Sequence, residues 1–266
     1  TGNISIPLPT HRTSQQGPII DFENYFYEDL LGIVAGEFDP DNSPILIALP
    51  SSNDVDFVVT SGGKAVKGIS IRIVDLTDVS NASGEITLSL PDGSYDFMLY
   101  TAGKTETISI DGTTFTYKNE AGNEAYWLDW LGFVPDVYDN VFHMENLEVS
   151  GASTENIDIG STTFETTVDG SLAPVSLLIS GDYLNDGNNL KTKEIIAFST
   201  GTDGSISLPL PQYRDSREGP ILEFFKYHYA DISNTASGLF NPADSPVQIA
   251  FGSMNEVTFK ITGSLT

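Results

Sequence analysis

The residues best suited to hold a metal ion lie in one short turn. Asp182, Asn185, Asp186 and Asn188 stand around Gly187, and carboxylate and amide oxygens are the ligands that calcium prefers. Their spacing differs from that of the EF-hand loop. A hairpin turn, which needs Asp, Asn and Gly for positive φ angles, calls for the same residue types and is the favoured alternative. We therefore expect no cofactor, with calcium as the one candidate.

An aromatic cluster is the second candidate site. Tyr126, Trp127 and Trp130, which include both tryptophans of the chain, stand beside Asp129. Exposed aromatic rings next to polar groups can stack on a sugar ring, so a cell-surface glycan is a candidate ligand. The favoured alternative is a hydrophobic cluster that fills the joint between two sandwiches.

The sequence carries no catalytic pattern. The histidines His11, His143 and His228 are far apart, and neither a His-Glu-x-x-His nor a Gly-x-Ser-x-Gly pattern occurs. The absence of cysteine excludes disulfides, thiolate metal sites and cysteine nucleophiles. With 37 acidic residues, no single pair of carboxylates is informative about glycoside hydrolysis. We therefore expect no catalytic activity.

The composition indicates a folded protein that does not bind nucleic acid. Of its 266 residues, 39% are hydrophobic and 11% are aromatic, which is enough for packed cores. The 12 basic and 37 acidic residues give a formal charge of -25, which repels phosphate backbones and anionic membrane surfaces. No run of about 18 apolar residues occurs. We expect neither nucleic-acid binding nor insertion into a membrane.

One segment of the chain occurs twice. Residues 2–61 align with residues 204–263 without a gap. Self-similarity of this kind is typical of modular arrays whose units bury parts of a common core. An arginine retained in both copies predicts a salt bridge within a module or between subunits. Identical pairs include Ile4 and Ile206, Pro9 and Pro211, Arg12 and Arg214, Phe22 and Phe224, Tyr25 and Tyr227, Asp29 and Asp231, and Phe38 and Phe240.

The hydrophobic pattern predicts strands. Alternating apolar residues predict an edge strand over 1–9, and dense aromatic residues predict a buried strand over 19–27. Short strands at close spacing, separated by Gly, Asp and Asn turns, indicate an antiparallel sandwich. Such strands are predicted over 55–60, 69–74, 83–91, 92–100, 108–117 and 175–181.

Three segments resemble a known type of module. They are KGISIRI at 67–73, ASGEITL at 82–88 and LPDGSY at 90–95. Over 55–117 the chain resembles the bacterial Ig-like, prealbumin-like (CnaB-like) modules found in surface proteins and phage tail proteins. This resemblance implies a spacer, stalk or adhesion unit. The duplicated unit also resembles repeats of phage tail-fibre and minor tail proteins.

We therefore predict an all-β protein of tandem antiparallel β-sandwich modules, Ig-like or prealbumin-like, with an internal duplication. The strand and turn order of 175–209 repeats that of 55–91, which makes the last module complete and the first one incomplete. The predicted domains are an incomplete module at 1–54, an Ig-like module at 55–117, an aromatic-rich connector or insertion at 118–170 and a complete module at 171–266.

The incomplete first module predicts assembly. A sandwich without its opening strands exposes a sheet edge and an apolar face. We expect either more chain before Thr1 or a neighbouring subunit that completes the module by strand complementation, giving a homo-oligomer or polymer. We predict that the chain is a non-enzymatic structural or adhesive component of an extracellular assembly. The first expectation for this assembly is a phage virion tail or fibre. The alternatives are a cell-surface filament, an S-layer-type subunit or a carbohydrate-binding module.

Overall fold

The described part of the chain consists of β-strands, turns and two 3₁₀ turns, Pro40–Asn42 and Pro242–Asp244, which confirms the predicted all-β class. Within this part, no helix has the length and apolar character needed to cross a bilayer. The computed structural model describes residues 2–13, 17, 20–101, 105–118, 138–184, 190–216, 221–253, 258 and 260.

Residues 2–50, which make up most of the first copy of the duplicated segment, contain two small hairpins. We call residues 2–50 the N-terminal arm. Its strands are β1 (His11–Arg12), β2 (Ile20–Asp21), β3 (Tyr25–Glu28) and β4 (Ala35–Phe38), with β1 on β2 and β3 on β4. Residues 2–9 form no strand, and the buried strand predicted over 19–27 is wrong for this chain, because Ile20 and Phe26 are exposed.

The first sandwich is made of two sheets. One contains β13, β10, β7 and β8 in that order, and the other contains β14, β5, β6, β11 and β12, with β9 paired to β5. Its strands are β5 (Ser52–Ser61), β6 (Lys64–Lys67), β7 (Ser70–Ile73), β8 (Leu76–Val79), β9 (Glu85–Pro91), β10 (Gly93–Thr101), β11 (Thr105–Ile110), β12 (Thr113–Lys118), β13 (Tyr138–Val149) and β14 (Ser153–Asp158).

Alternation along the strands creates the core of this sandwich. In β5 the side chains of Val55, Phe57 and Val59 are fully buried, whereas Asp54 and Asp56, on either side of Val55, face solvent. Successive side chains of a strand point to opposite faces of its sheet, so every second residue enters the core. The strand predicted from this alternation over 55–60 is confirmed.

The second sandwich contains the second copy of the duplicated segment. Strands β18, β17, β22 and β23 form one sheet, and β16, β15, β19 and β24 form the other. The strands are β15 (Thr162–Val168), β16 (Ser171–Leu172), β17 (Ser176–Leu184), β18 (Leu190–Ser199), β19 (Ser205–Leu208), β20 (Tyr213–Ser216), β21 (Leu222–Glu223), β22 (Lys226–Asp231), β23 (Ser237–Phe240) and β24 (Val247–Phe251).

The two sandwiches are joined by hydrogen-bonded strands and by a common core. Strand β20 of the second sandwich pairs with β13 of the first over four residues, and Tyr117 of β12 pairs with Ile196 of β18. The buried Tyr117 ring packs edge-on against Phe142, with the centroids 5.2 Å apart, and its hydroxyl donates to the carbonyl of Pro209 at 2.6 Å. The buried apolar residues of both sandwiches form one continuous cluster.

The first and last strands of each sandwich lie side by side in parallel. Strand β14 pairs with β5 over six residues, and β24 pairs with β15 over five. The other strand pairs in the described part are antiparallel. The segment 138–170, which lies in the predicted connector, therefore supplies β13, β14 and β15 to the sandwiches.

Substitution of two glycines tests the packing of the first sandwich. Both Gly63 and Gly84 have a positive φ, but a Cβ at Gly84 would lie 2.4 Å from the carbonyl oxygen of Val59, whereas at Gly63 it would meet no atom within 4 Å. We expect Gly63→Ala to cost about 1 kcal/mol and Gly84→Ala about 3 kcal/mol. Urea unfolding measures both. Equal costs would contradict the close approach of the backbone at Gly84.

Candidate functional site

Asp182, the first residue of the predicted calcium site, is buried in β17. Its Oδ2 atom lies 2.7 Å from Nε2 of His228, and its backbone carbonyl accepts a hydrogen bond from the N–H of Phe225 at 3.2 Å. The other predicted ligands, Asn185, Asp186 and Asn188, lie outside the described residues. No group of three or more His, Cys, Asp or Glu side chains that could hold a metal occurs among the described residues. The calcium site stays a prediction.

The predicted glycan site also lies outside the described residues. Tyr126, Trp127 and Trp130 belong to the segment 119–137. Glycan binding by these rings stays a prediction.

A buried arginine of the second copy lies where the two sandwiches join. Arg214 is 1% exposed, and its Nη2 donates to Oδ1 of Asn140 at 2.6 Å. Its guanidinium lies over the rings of Tyr183 and Phe224, at 5.4 and 5.8 Å from their centroids. These contacts connect β20 to both β13 and β17. The salt bridge predicted for Arg214 stays a prediction, since the contacts described here are to an amide and two rings.

A second arginine brings further charge to this junction. Arg72 of β7 contacts the carboxylate of Asp215 through Nη2, and its Nη1 lies 3.7 Å from Oδ2 of Asp139. Asp139 is fully buried and faces Asp215 in the pairing of β13 with β20. Arg72, Asp139 and Asp215 thus form a group of charges with low exposure at the junction. Removal of one member would leave a buried charge uncompensated, which is costly.

Asp231 holds the turn between β22 and β23. Its Oδ1 accepts hydrogen bonds from the N–H groups of Thr235 and Ala236, at 2.7 and 2.6 Å, and its Oδ2 accepts one from Oγ1 of Thr235 at 3.0 Å. Burial raises the pKa of Asp231, but the hydrogen bonds from Ala236, Thr235 and Ser233 together outweigh it and bring the pKa below the usual 3.8. The ionised carboxylate is thus the form that the turn requires.

The N-terminal arm carries most of the exposed apolar side chains. Of the eighteen large apolar side chains exposed in the described residues, ten lie in the arm. Exposed apolar side chains concentrated in one segment are typical of interaction surfaces, so the arm is the candidate functional surface. The ten are Ile4, Ile6, Ile20, Phe22, Phe26, Leu30, Ile33, Leu46, Ile47 and Leu49.

The second copy of the segment is seated on three strands, β13, β15 and β17, which we call the docking framework. Strand β20 pairs with β13, β22 pairs with β17, and both β19 and β24 pair with β15. Strands β13 and β15 lie within the connector predicted at 118–170. The signal that could have placed β15 in a sandwich is the alternation of Thr162, Phe164 and Thr166, which are all buried.

Comparison with known proteins identifies no family. No family model matches the chain, and no curated protein matches it. Among solved structures, the shaft pilin SpaA from Lactobacillus rhamnosus GG is 11% identical, with a TM-score of 0.28, over 77% of this chain and 100% of the pilin. The Bacillus anthracis TIE protein is 14% identical, with a TM-score of 0.26, over 76% of this chain and 33% of its own. BcpA, the major pilin subunit of Bacillus cereus, is 9% identical, with a TM-score of 0.19, over 76% of this chain and 99% of its own.

The duplicated arginines provide a matched test of the junction. We expect Arg214→Ala to lower the free energy of unfolding by about 3–5 kcal/mol, because it leaves a cavity at a buried position and removes the donor that Asn140 contacts. Arg12→Ala changes an exposed side chain and should stay within about 0.5 kcal/mol of the parent. The midpoints of urea unfolding, compared at an unchanged m-value, measure the change in stability for both variants. A large loss from Arg12→Ala would contradict the exposed position of the arm.

The pKa of Asp231 predicts acid sensitivity. Because this pKa is lowered on folding, the carboxylate stabilises the fold above pH 3.8, and this contribution is lost as the pH falls below 3.8 through the folded value. We expect Asp231→Asn to be less stable than the parent at pH 7 and to lose less further stability between pH 4 and pH 2. Asp29→Asn, the matched change in the arm, should leave global unfolding unaltered at pH 7. Melting temperatures measured between pH 2 and pH 7 test this prediction. Parallel plots of melting temperature against pH for the parent and for Asp231→Asn would contradict it.

Proposed function

We propose that this chain is part of a non-enzymatic structural or adhesive component of an extracellular assembly. The observation that carries the proposal is the construction of the molecule. Two sandwiches share one core and continuous sheets, and a copy of the same segment lies in each half of the chain. Units that share sheets and core across their joint form a stiff body rather than beads on a flexible linker.

The surface chemistry favours contact with protein over contact with nucleic acid. A formal charge of -25 on 266 residues keeps such a body soluble and opposes contact with nucleic acid. The exposed apolar side chains of the arm provide, in contrast, a local surface for contact with protein. A virion tail or fibre is the setting expected from the sequence, and a cell-surface filament or S-layer is the alternative that needs the same architecture.

Localisation by electron microscopy tests this function. With gold-labelled antibody against the chain, we expect regular labelling along fibres attached to virions or along filaments on the cell surface of the source. The two settings are distinguished by the labelled particle. Label confined to the cell interior would contradict the proposal. A fibre that disperses when calcium is chelated would support a calcium site, for which Asp182 and its neighbours are the candidate ligands.

A glycan array tests the alternative function, that of a carbohydrate-binding module. Binding of the chain that is abolished by Trp127→Ala or Trp130→Ala would favour a carbohydrate-binding module over a structural unit. Equal binding by parent and both variants, or no binding, would argue against it.

A further inference from the structure

We propose that a polar cleft between the two sandwiches binds a saccharide that carries a carboxylate, such as a hexuronate or a sialic acid. We call it the junction cleft. It consists of two cavities, of about 510 and 440 Å³, that share Lys64 and Asp111 in their walls. Both volumes lie in the range of small-ligand sites. The proposal gives a ligand class to the adhesive part of the proposed function and to that extent rests on it.

Both sandwiches build the larger cavity. The first sandwich contributes the turn between β5 and β6 and the hairpin of β11 and β12, and the second contributes residues of β15 and β19. Paired strands hold these walls in place, because Thr163 faces Ser207 in the pairing of β15 with β19, and Lys67 faces Ser109 in the pairing of β6 with β11. A preorganised wall of this kind lowers the cost of binding a ligand.

Hydroxyl groups are the main polar groups of the larger cavity. Six of the twelve described residues in its wall are serines or threonines. The side chains of Thr113, Ser161 and Ser205 form no hydrogen bond with another described residue. Each hydroxyl offers one donor and two acceptor lone pairs, which is what the hydroxyls of a sugar ring require. Sites for drug-like molecules are predominantly apolar, so this wall fits a polyhydroxylated ligand better than an apolar one.

The smaller cavity is positively charged, in contrast to the chain as a whole. The charged side chains among its described residues are Lys64, Lys67 and Asp111, whereas the chain has 12 basic and 37 acidic residues. Lys67 forms no ion pair with another described residue. At physiological salt the Debye length is about 8 Å, so distant carboxylates are largely screened and the two lysines determine the local potential. A ligand with a carboxylate complements this charge.

The ion pair of Lys64 with Asp111 borders both cavities and can serve a ligand that spans them. Nζ of Lys64 lies 3.0 Å from Oδ2 of Asp111, and the two side chains are 61% and 72% exposed. A pair with this exposure contributes little to stability, so either group can turn towards a ligand at small cost. Lys64 can then donate to the carboxylate of the saccharide, and Asp111 can accept a hydrogen bond from a sugar hydroxyl.

Isothermal titration calorimetry with the full chain at about 150 mM salt tests the proposal. The acidic probes are trigalacturonate and sialyllactose, and their neutral counterparts are methyl-esterified trigalacturonate and lactose. We expect at least one acidic probe to bind about tenfold more tightly than its neutral counterpart, because a charged acceptor strengthens the hydrogen bonds from lysine. The probe that binds distinguishes a uronate polymer from a sialylated glycan as the source of the carboxylate.

A matched pair of lysine variants tests the position of the site. Lys67→Gln should weaken the acidic probe about tenfold and leave its neutral counterpart unchanged, because only the carboxylate loses a charged partner. Lys226→Gln is the control, since it makes the same change in net charge at an exposed lysine of β22 that is not in the described walls of the cleft. It should bind both probes like the parent.

Removal of hydroxyl groups tests the larger cavity. Ser161→Ala combined with Ser205→Ala should weaken the acidic probe by about threefold to tenfold, because hydrogen bonds to the sugar ring are lost. Circular dichroism verifies that each variant is folded. Unchanged binding by this double variant would contradict a saccharide that enters the larger cavity.

Three outcomes would overturn the proposal as a whole. They are the absence of binding by both acidic probes, equal weakening by Lys67→Gln and Lys226→Gln, and binding of inorganic phosphate as tight as that of the sugars. Binding that is lost in Trp127→Ala but kept in Lys67→Gln would also overturn it and favour the aromatic segment. Labelled fibres without sugar binding would remove this site and leave the proposed function standing. Sugar binding without labelled fibres would retain the site and remove the function.

Discussion

The pairing of β13 with β20 is the constraint on which the rest of the molecule depends. It aligns Asn140 with Arg214 and Asp139 with Asp215, so a shift by one residue would separate the buried guanidinium from its amide and place apolar side chains on the wrong face. Buried charges contribute little net stability because their desolvation is costly, but they accept few alternative arrangements. This junction therefore fixes one register between the sandwiches, and the common core then provides most of the stability.

The duplicated segment separates what local sequence determines from what tertiary contacts determine. Asp29 and Asp231 each accept backbone hydrogen bonds from the turn that follows, and the two hairpins close in the same register, whether the segment is exposed or buried. Turn chemistry and nearby aromatic contacts are thus sufficient for the local shape. Burial of the apolar face, in contrast, requires strands that lie far away in the sequence.

This division explains how much of the molecule can be predicted from its sequence. The all-β class and the duplication follow from alternation and from identity at a fixed offset, which are local signals. The docking framework does not, because β13 pairs with β10 and β20, and their registers depend on contacts across many residues. For the same reason the aromatic residues of 19–27 indicate a buried strand although Phe26 is exposed here. Of the predicted site residues, Asp182 lies in a strand that pairs with β22, and its contact with His228 joins residues 46 positions apart.

The parallel pairing of the first and last strand in each sandwich has a mechanical consequence. In β5 with β14 and in β15 with β24, the chain enters the sandwich at one end of the pair and leaves it at the other. Tension applied along the chain therefore loads these hydrogen bonds in shear, so that the six or five paired residues must yield together. Strands joined by a hairpin would instead separate one bond at a time. Both sandwiches are accordingly built to transmit a pulling force before they unfold.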